Sequence, residues 1–105
     1  MPTASADDRV DRVFRALASK QRREIMRLLA AGAGTGECCA GEEVCACDLA
    51  AKLGLGAPTV SHHMKALIDA ELVTSDKRGA WVYYRMVPET VKALAGELMG
   101  MAGCR

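Results

Sequence analysis

Gly54 and Gly56 cut one helical apolar pattern into two short pieces, and what flanks that cut limits the architecture more than any other feature. Before it, Asp48 to Leu53 reads as a short helix. After it, Pro58 suits a first helical turn, and Val60, Met64, Leu67 and Ile68 recur at spacings of three and four out to about Ala70. Two short helices around a tight glycine-containing turn make a helix-turn-helix unit. Its second helix leaves Thr59, Ser61, His62 and Lys65 on the outer side, and these residue types reach bases or phosphates.

Downstream of this unit the pattern changes from helical to extended. Leu72-Val73-Thr74 and Trp81 to Met86 are the only convincing strands, and Ser75 to Ala80 between them reads as a turn with Lys77 and Arg78 at its tip. A hairpin with a basic tip directly after a helix-turn-helix is a wing. The expected fold is therefore mainly α with a β-hairpin wing, a winged helix-turn-helix. Upstream, Val10, Val13, Phe14 and Leu17 mark a first helix, and Ser19 suits the N-cap of a second that carries Ile25, Leu28 and Leu29. Pro88 ends the second strand, and Val91, Leu94, Leu98 and Met101 line one side of a last helix. Inside so small a domain that stripe has no partner except the first helix. A second copy covering Val10, Phe14, Val91, Leu94 and Leu98 would bury it, so a two-fold homodimer is expected.

At 105 residues the chain supports one domain with a modest core, expected over 8–102 behind a flexible leader, 1–7. Its only aromatic residues are Phe14, Trp81, Tyr83 and Tyr84, so aliphatic side chains must build that core, which favours packed helices. The formal charge of +1 argues neither for nor against DNA, since what matters is whether the basic groups share a face. They are unevenly spread: 31–50 holds Glu37, Glu42, Glu43 and Asp48 with no Lys or Arg, whereas 59–85 holds Lys65, Lys77, Arg78, Arg85, His62 and His63. The polar, acidic N-terminus is no secretory signal and no apolar run could span a bilayer, so a cytoplasmic chain with reduced thiols and no membrane partner is expected. The glycine-rich 31–36 lacks the Gly-Lys-Ser/Thr ending and the preceding strand of a phosphate loop, and reads as a linker.

The acidic stretch also holds four of the five cysteines, Cys38, Cys39, Cys45 and Cys47, with Cys104 next to the C-terminus. In a reducing compartment such clustering points to metal or redox chemistry before structural disulfides. Taken together, Glu43-Val-Cys-Ala-Cys-Asp-Leu49, Pro58-Thr-Val-Ser-His-His-Met-Lys-Ala-Leu67, Leu72-Val73 and Lys77-Arg-Gly-Ala-Trp-Val-Tyr-Tyr-Arg85 resemble the ArsR/SmtB family of metal- and metalloid-responsive repressors, over roughly residues 9–100. The resemblance implies a dimer that sits on a palindromic double-stranded DNA operator and leaves it when an inducer binds. It also implies that Ser61, His62 and Lys65 face the major groove, and that Lys77 and Arg78 contact backbone or minor groove. The pair Cys45 and Cys47 matches the Cys-x-Cys of the arsenic-responsive branch. Where that branch often has a third cysteine, this chain has Ala50.

Trivalent arsenic and antimony are soft and bind up to three thiolates in a pyramid, so arsenite or antimonite is the expected inducer, with no permanent cofactor. Cys45 and Cys47 share a face if the segment is extended and diverge if it is fully helical; a helix starting near Cys47 keeps them together at its positive end, which favours thiolate. The third sulfur must come from elsewhere: Cys38 or Cys39 through the loop, or Cys104 from a tail. Recruiting both Cys38 and Cys39 would give four sulfurs, suited to zinc or cadmium, and a divalent soft metal (lead included) or thiol oxidation stays open as the signal. The last helix has no His and only Glu89 and Glu97 as acids, so it holds no zinc site. Enzymatic readings are set aside, because the histidines belong to the DNA-facing unit and a reductase would want Cys-x-x-Cys. A structural adaptor with no DNA role remains as another class; it predicts partner binding unaffected by Lys77 and Arg78, where a repressor predicts steep salt dependence.

Overall fold

The computed structural model describes residues 6–31 and 44–103, with side chains from Asp8 onward. Most of the leader, the glycine-rich piece, Cys38, Cys39 and Cys104 lie outside the described residues. Five helices and three strands run in the order α1 (Ala6–Leu17), α2 (Lys20–Ala30), β1 (Val44–Cys45), α3 (Ala46–Leu53), α4 (Ala57–Asp69), β2 (Val73–Arg78), β3 (Trp81–Met86) and α5 (Pro88–Met101).

Local signals fix the helix ends. Ser19 is extended and its hydroxyl accepts from the Arg22 amide at 3.4 Å, so α2 starts as expected. Gly54 closes α3 in the left-handed region at φ 65°, where a side chain would be strained, and Pro58 sits in the first turn of α4. The end of α4 makes the same kind of stop without glycine. Glu71 takes φ 62°, its amide bonds Ile68 at 2.9 Å, and the Leu72 amide bonds Leu67 at 3.0 Å. This is a Schellman motif sealed by Leu67 and Leu72, both fully buried.

Expectations about the strands need correction. The first leg of the hairpin is not confined to Leu72–Thr74: β2 runs to Arg78 and pairs with β3 from Val73↔Met86 to Arg78↔Trp81, leaving only Gly79 and Ala80 as the turn. Gly79 at φ 60° followed by Ala80 at ordinary φ gives a two-residue turn whose twist matches the strands, so the polar residues before it can pair. A third strand, β1, joins the sheet in the order β1-β3-β2, with Val44↔Tyr84 and Cys45↔Tyr83. Pro88 also opens α5 rather than merely ending β3.

One core unites these elements. Val13 and Ala16 of α1, Ile25 and Leu29 of α2, Leu49 of α3, and Val60, Met64 and Leu67 of α4 are buried together with Val44, Leu72, Val73 and Tyr84. In contrast α5 buries no residue, and Leu98, Met99 and Met101 remain exposed along it.

Candidate nucleic-acid interface and thiol pair

Because Val60, Met64 and Leu67 anchor α4 in the core, its helical period turns Thr59, Ser61, His62 and Lys65 outward, and all four are exposed. His63, between the two faces, is half-buried, and its Nδ1 accepts a hydrogen bond from Arg22 Nε of α2 at 3.2 Å. That bond ties the outward-facing helix to α2. Sequence reasoning does not pair His63 with Arg22, since 41 residues separate the two and no local periodicity links them.

Burial, then the Arg22 charge, then His62 hold the His63 pKa below its ordinary value of 6.5. The neutral ring is the form that can accept from Arg22. In the unfolded chain the ring binds a proton more readily, so this contribution to stability is complete above pH 6.5 and is lost as pH falls through the lower folded value. Comparing urea midpoints at pH 7 and pH 5 should show a smaller acid loss in His63→Gln than in the wild type. An equal or larger loss in the variant would remove His63 from the acid response.

The wing presents Lys77 and Arg78 next to its Gly79–Ala80 tip, both exposed. Neighbours on a strand point to opposite faces, so the two cations do not act as one cluster. Arg78 Nε pairs with Asp76 Oδ2 at 2.8 Å, and its guanidinium lies 4.7 Å from the centre of the Tyr83 ring. Lys77 projects from the other face of the ribbon. Asp76 and Tyr83 carry no signal in the sequence that marks them as partners of Arg78.

The thiol pair lies where the sheet meets the helix-turn-helix. Pairing with Tyr83 keeps Cys45 extended at φ −70° and ψ 145°, and it serves as the N-cap of α3; Cys47 is the second helical residue. The helix thus starts at Ala46, two residues before the expected Asp48. This mixed conformation brings the two Sγ atoms within 2.9 Å, without a disulfide. Cys45 is 1% exposed, whereas Cys47 faces solvent. Burial, reinforced by negative charge at Cys45, holds the Tyr84 phenol above its ordinary pKa. Among the described residues no third His, Cys, Asp or Glu joins the pair in a group able to hold an ion.

The residues expected at a dimer contact lie on α1 and α5: Val10, Phe14, Val91 and Leu94 are half-buried, and Leu98 is 47% exposed. A cavity of about 240 Å³ separates these helices, with Val10, Val13 and Leu94 in its wall. None of the described helices is long and apolar enough to cross a membrane.

Comparisons with known proteins agree with this geometry. The family described as "Bacterial regulatory protein, arsR family" matches residues 19–75. The chain is 36% identical over 84 residues to the arsenical resistance operon repressor of Bacillus subtilis, covering 80% of this chain and 71% of that one. It is 39% identical over 74 residues to the repressor of the same description from Staphylococcus aureus, covering 70% of this chain and 62% of that one. The solution structure of the homodimeric winged helix-turn-helix domain of a possible ArsR-family regulator from Mycobacterium bovis superposes with a TM-score of 0.69 at 27% identity, over 97% of this chain and 91% of that one.

Proposed function

The chain belongs to the arsR family of bacterial regulatory proteins, and we propose that it is a homodimeric operator-binding repressor released by trivalent arsenic or antimony. Its family and fold are those of DNA-binding transcriptional regulators, not of enzymes. The observation that carries the arsenic reading is the Cys45–Cys47 contact at the N-terminus of α3, the first helix of the helix-turn-helix. Two sulfurs 2.9 Å apart suit one soft ion, and relatives that are arsenical resistance repressors support the choice of metalloid.

Two thiolates leave one position of a pyramidal ion open, and for arsenite we assign it to Cys38 or Cys39. Loop closure over so few residues costs little, and its entropy grows slowly with length. Ligation at Cys45 and Cys47 acts on the start of α3, which packs on α4. Shifting α4 relative to its dimer mate spoils the fit to two successive half-sites, and a coupling of about 1–3 kcal/mol per effector is enough to matter. In this assignment Thr59, Ser61, His62 and Lys65 read the major groove while Lys77 and Arg78 hold backbone or minor groove.

The dimer is assigned to α1 and α5, whose Leu98, Met99 and Met101 are exposed. Sedimentation of a labelled palindromic duplex tests the whole reading. It should move as duplex plus two chains, and as bare duplex once arsenite is added. One chain per duplex at full affinity would reject the dimer, and a complex unmoved by saturating arsenite would reject the inducer.

A further inference from the structure

The last carbonyls of a helix have no partner within it, and at the end of α4 they are shared out among the turn, α1 and α5. Amides of the turn take three of them: Ala70 bonds Ala66 at 3.1 Å, Leu72 bonds Leu67 at 3.0 Å and Glu71 bonds Ile68 at 2.9 Å. The Asp69 carbonyl instead accepts from Arg12 Nη1 of α1 at 3.4 Å, which also puts a cation at the negative end of the helix. In the turn, the carbonyl of Glu71, held at φ 62°, accepts from Thr90 Oγ1 of α5 at 2.6 Å. The Leu72 carbonyl accepts from the Val87 amide, just before α5, at 2.8 Å. Packing is loose at this junction. The cavity between α1 and α5 has Ala70 and Glu71 in its wall, and α5 buries no residue, so the Arg12 and Thr90 bonds fix how the end of α4 sits between the two helices.

We propose that Arg12 and Thr90 are positioning residues for operator recognition: they clasp the end of α4 to α1 and α5, and so set the half-site spacing that the dimer accepts. The proposal rests on the reading of α4 as the DNA-facing helix and of α1 and α5 as the dimer contact. In a two-fold dimer joined through α1 and α5, whatever fixes α4 to those helices fixes it to its mate. The two α4 helices must meet half-sites about one helical turn apart, and one extra base pair turns a half-site by about 35° around the duplex. Firmly held helices cannot follow that turn. Loosely held ones can, but they must then be ordered on contact, which weakens binding at the native spacing.

Binding of the reduced full-length chain is measured on the palindromic operator, on versions with one base pair added to or removed from its centre, and on random duplex. The wild type should prefer the native spacing at least tenfold. Thr90→Val keeps the side-chain shape and removes the donor, and Arg12→Met keeps the apolar stem and removes the charge. Each should cut the spacing preference at least threefold, by weakening the native operator while the altered spacings change less than twofold. Random-duplex affinity and the salt slope should stay as in the wild type, and Thr90→Ser should restore the preference. An unchanged spacing preference in both variants would overturn the clasp. So would an equal loss on every duplex, the mark of a merely weakened fold, or a shallower salt slope, the mark of a direct phosphate contact. A wild type indifferent to spacing would instead overturn the dimeric reading beneath the clasp, and the clasp with it.

Discussion

Replacing Lys77 and Arg78 together with alanine should weaken binding to operator and random duplex alike, by about 10- to 100-fold near physiological salt. Each phosphate contact contributes about 0.9 to the slope of log affinity against log salt. One such contact per subunit from Lys77 therefore makes the slope shallower by about 1.8 in the dimer. Arg78 should add less than a second full contact, because Asp76 already neutralises part of it at 2.8 Å and Tyr83 holds its plane. Ser61→Ala and His62→Ala should behave differently. Both side chains are exposed on α4, where hydrogen-bonding groups can reach base edges, so their loss should change the ranking of operators. Binding-site selection with the wing double variant checks the division: altered base preference with an unchanged salt slope would reverse the assignment.

The helix-turn-helix was legible because its signals are local. Gly54 supplies the left-handed stop, Pro58 suits the first turn of α4, and the Val60, Met64 and Leu67 stripe has no competing period. The wing was half legible. Thr74 to Arg78 are all exposed, so β2 lacks the apolar alternation that marks a strand buried on one face, and only Gly79 fixes where it turns. The two-residue β1 exists through its partners Tyr83 and Tyr84, some forty positions away, which no window along the chain can see. Glu71 hides the end of α4 because a stop at positive φ is ordinarily marked by glycine. For the thiols, sequence left three geometries open, extended, fully helical and a helix starting near Cys47; the fold takes the third, with Cys45 on the strand and Cys47 in the first turn of α3.

That geometry sets the other large effect. Cys45→Ser and Cys47→Ser should each bind operator as the wild type does, yet remain bound at arsenite concentrations that empty the wild-type complex. Neither side chain belongs to the exposed face of α4 or the wing tip, so DNA affinity has no reason to fall. Cys47 is the cleaner position because it is exposed; a hydroxyl at Cys45 enters a buried site and costs about 1–3 kcal/mol if it finds no partner. Losing one sulfur leaves arsenite a single thiolate from the pair, so the three-sulfur site drops to two and the link between Cys45 and Cys47 at the start of α3 is gone. The Cys38/Cys39 double variant should respond more weakly without becoming unresponsive, and X-ray absorption should count three sulfurs on arsenic in the wild type and fewer in that variant.

The most direct measurement is operator release followed by fluorescence anisotropy, with wild type and Cys47→Ser titrated in parallel with arsenite, antimonite, zinc, cadmium and peroxide. Arsenite and antimonite should release the wild type at about one ion per chain, well below the concentrations at which zinc, cadmium or peroxide act, and should leave Cys47→Ser bound. Release by zinc, cadmium or peroxide with arsenite inert, or arsenite release that persists in Cys47→Ser, would contradict a metalloid switch built on Cys45 and Cys47.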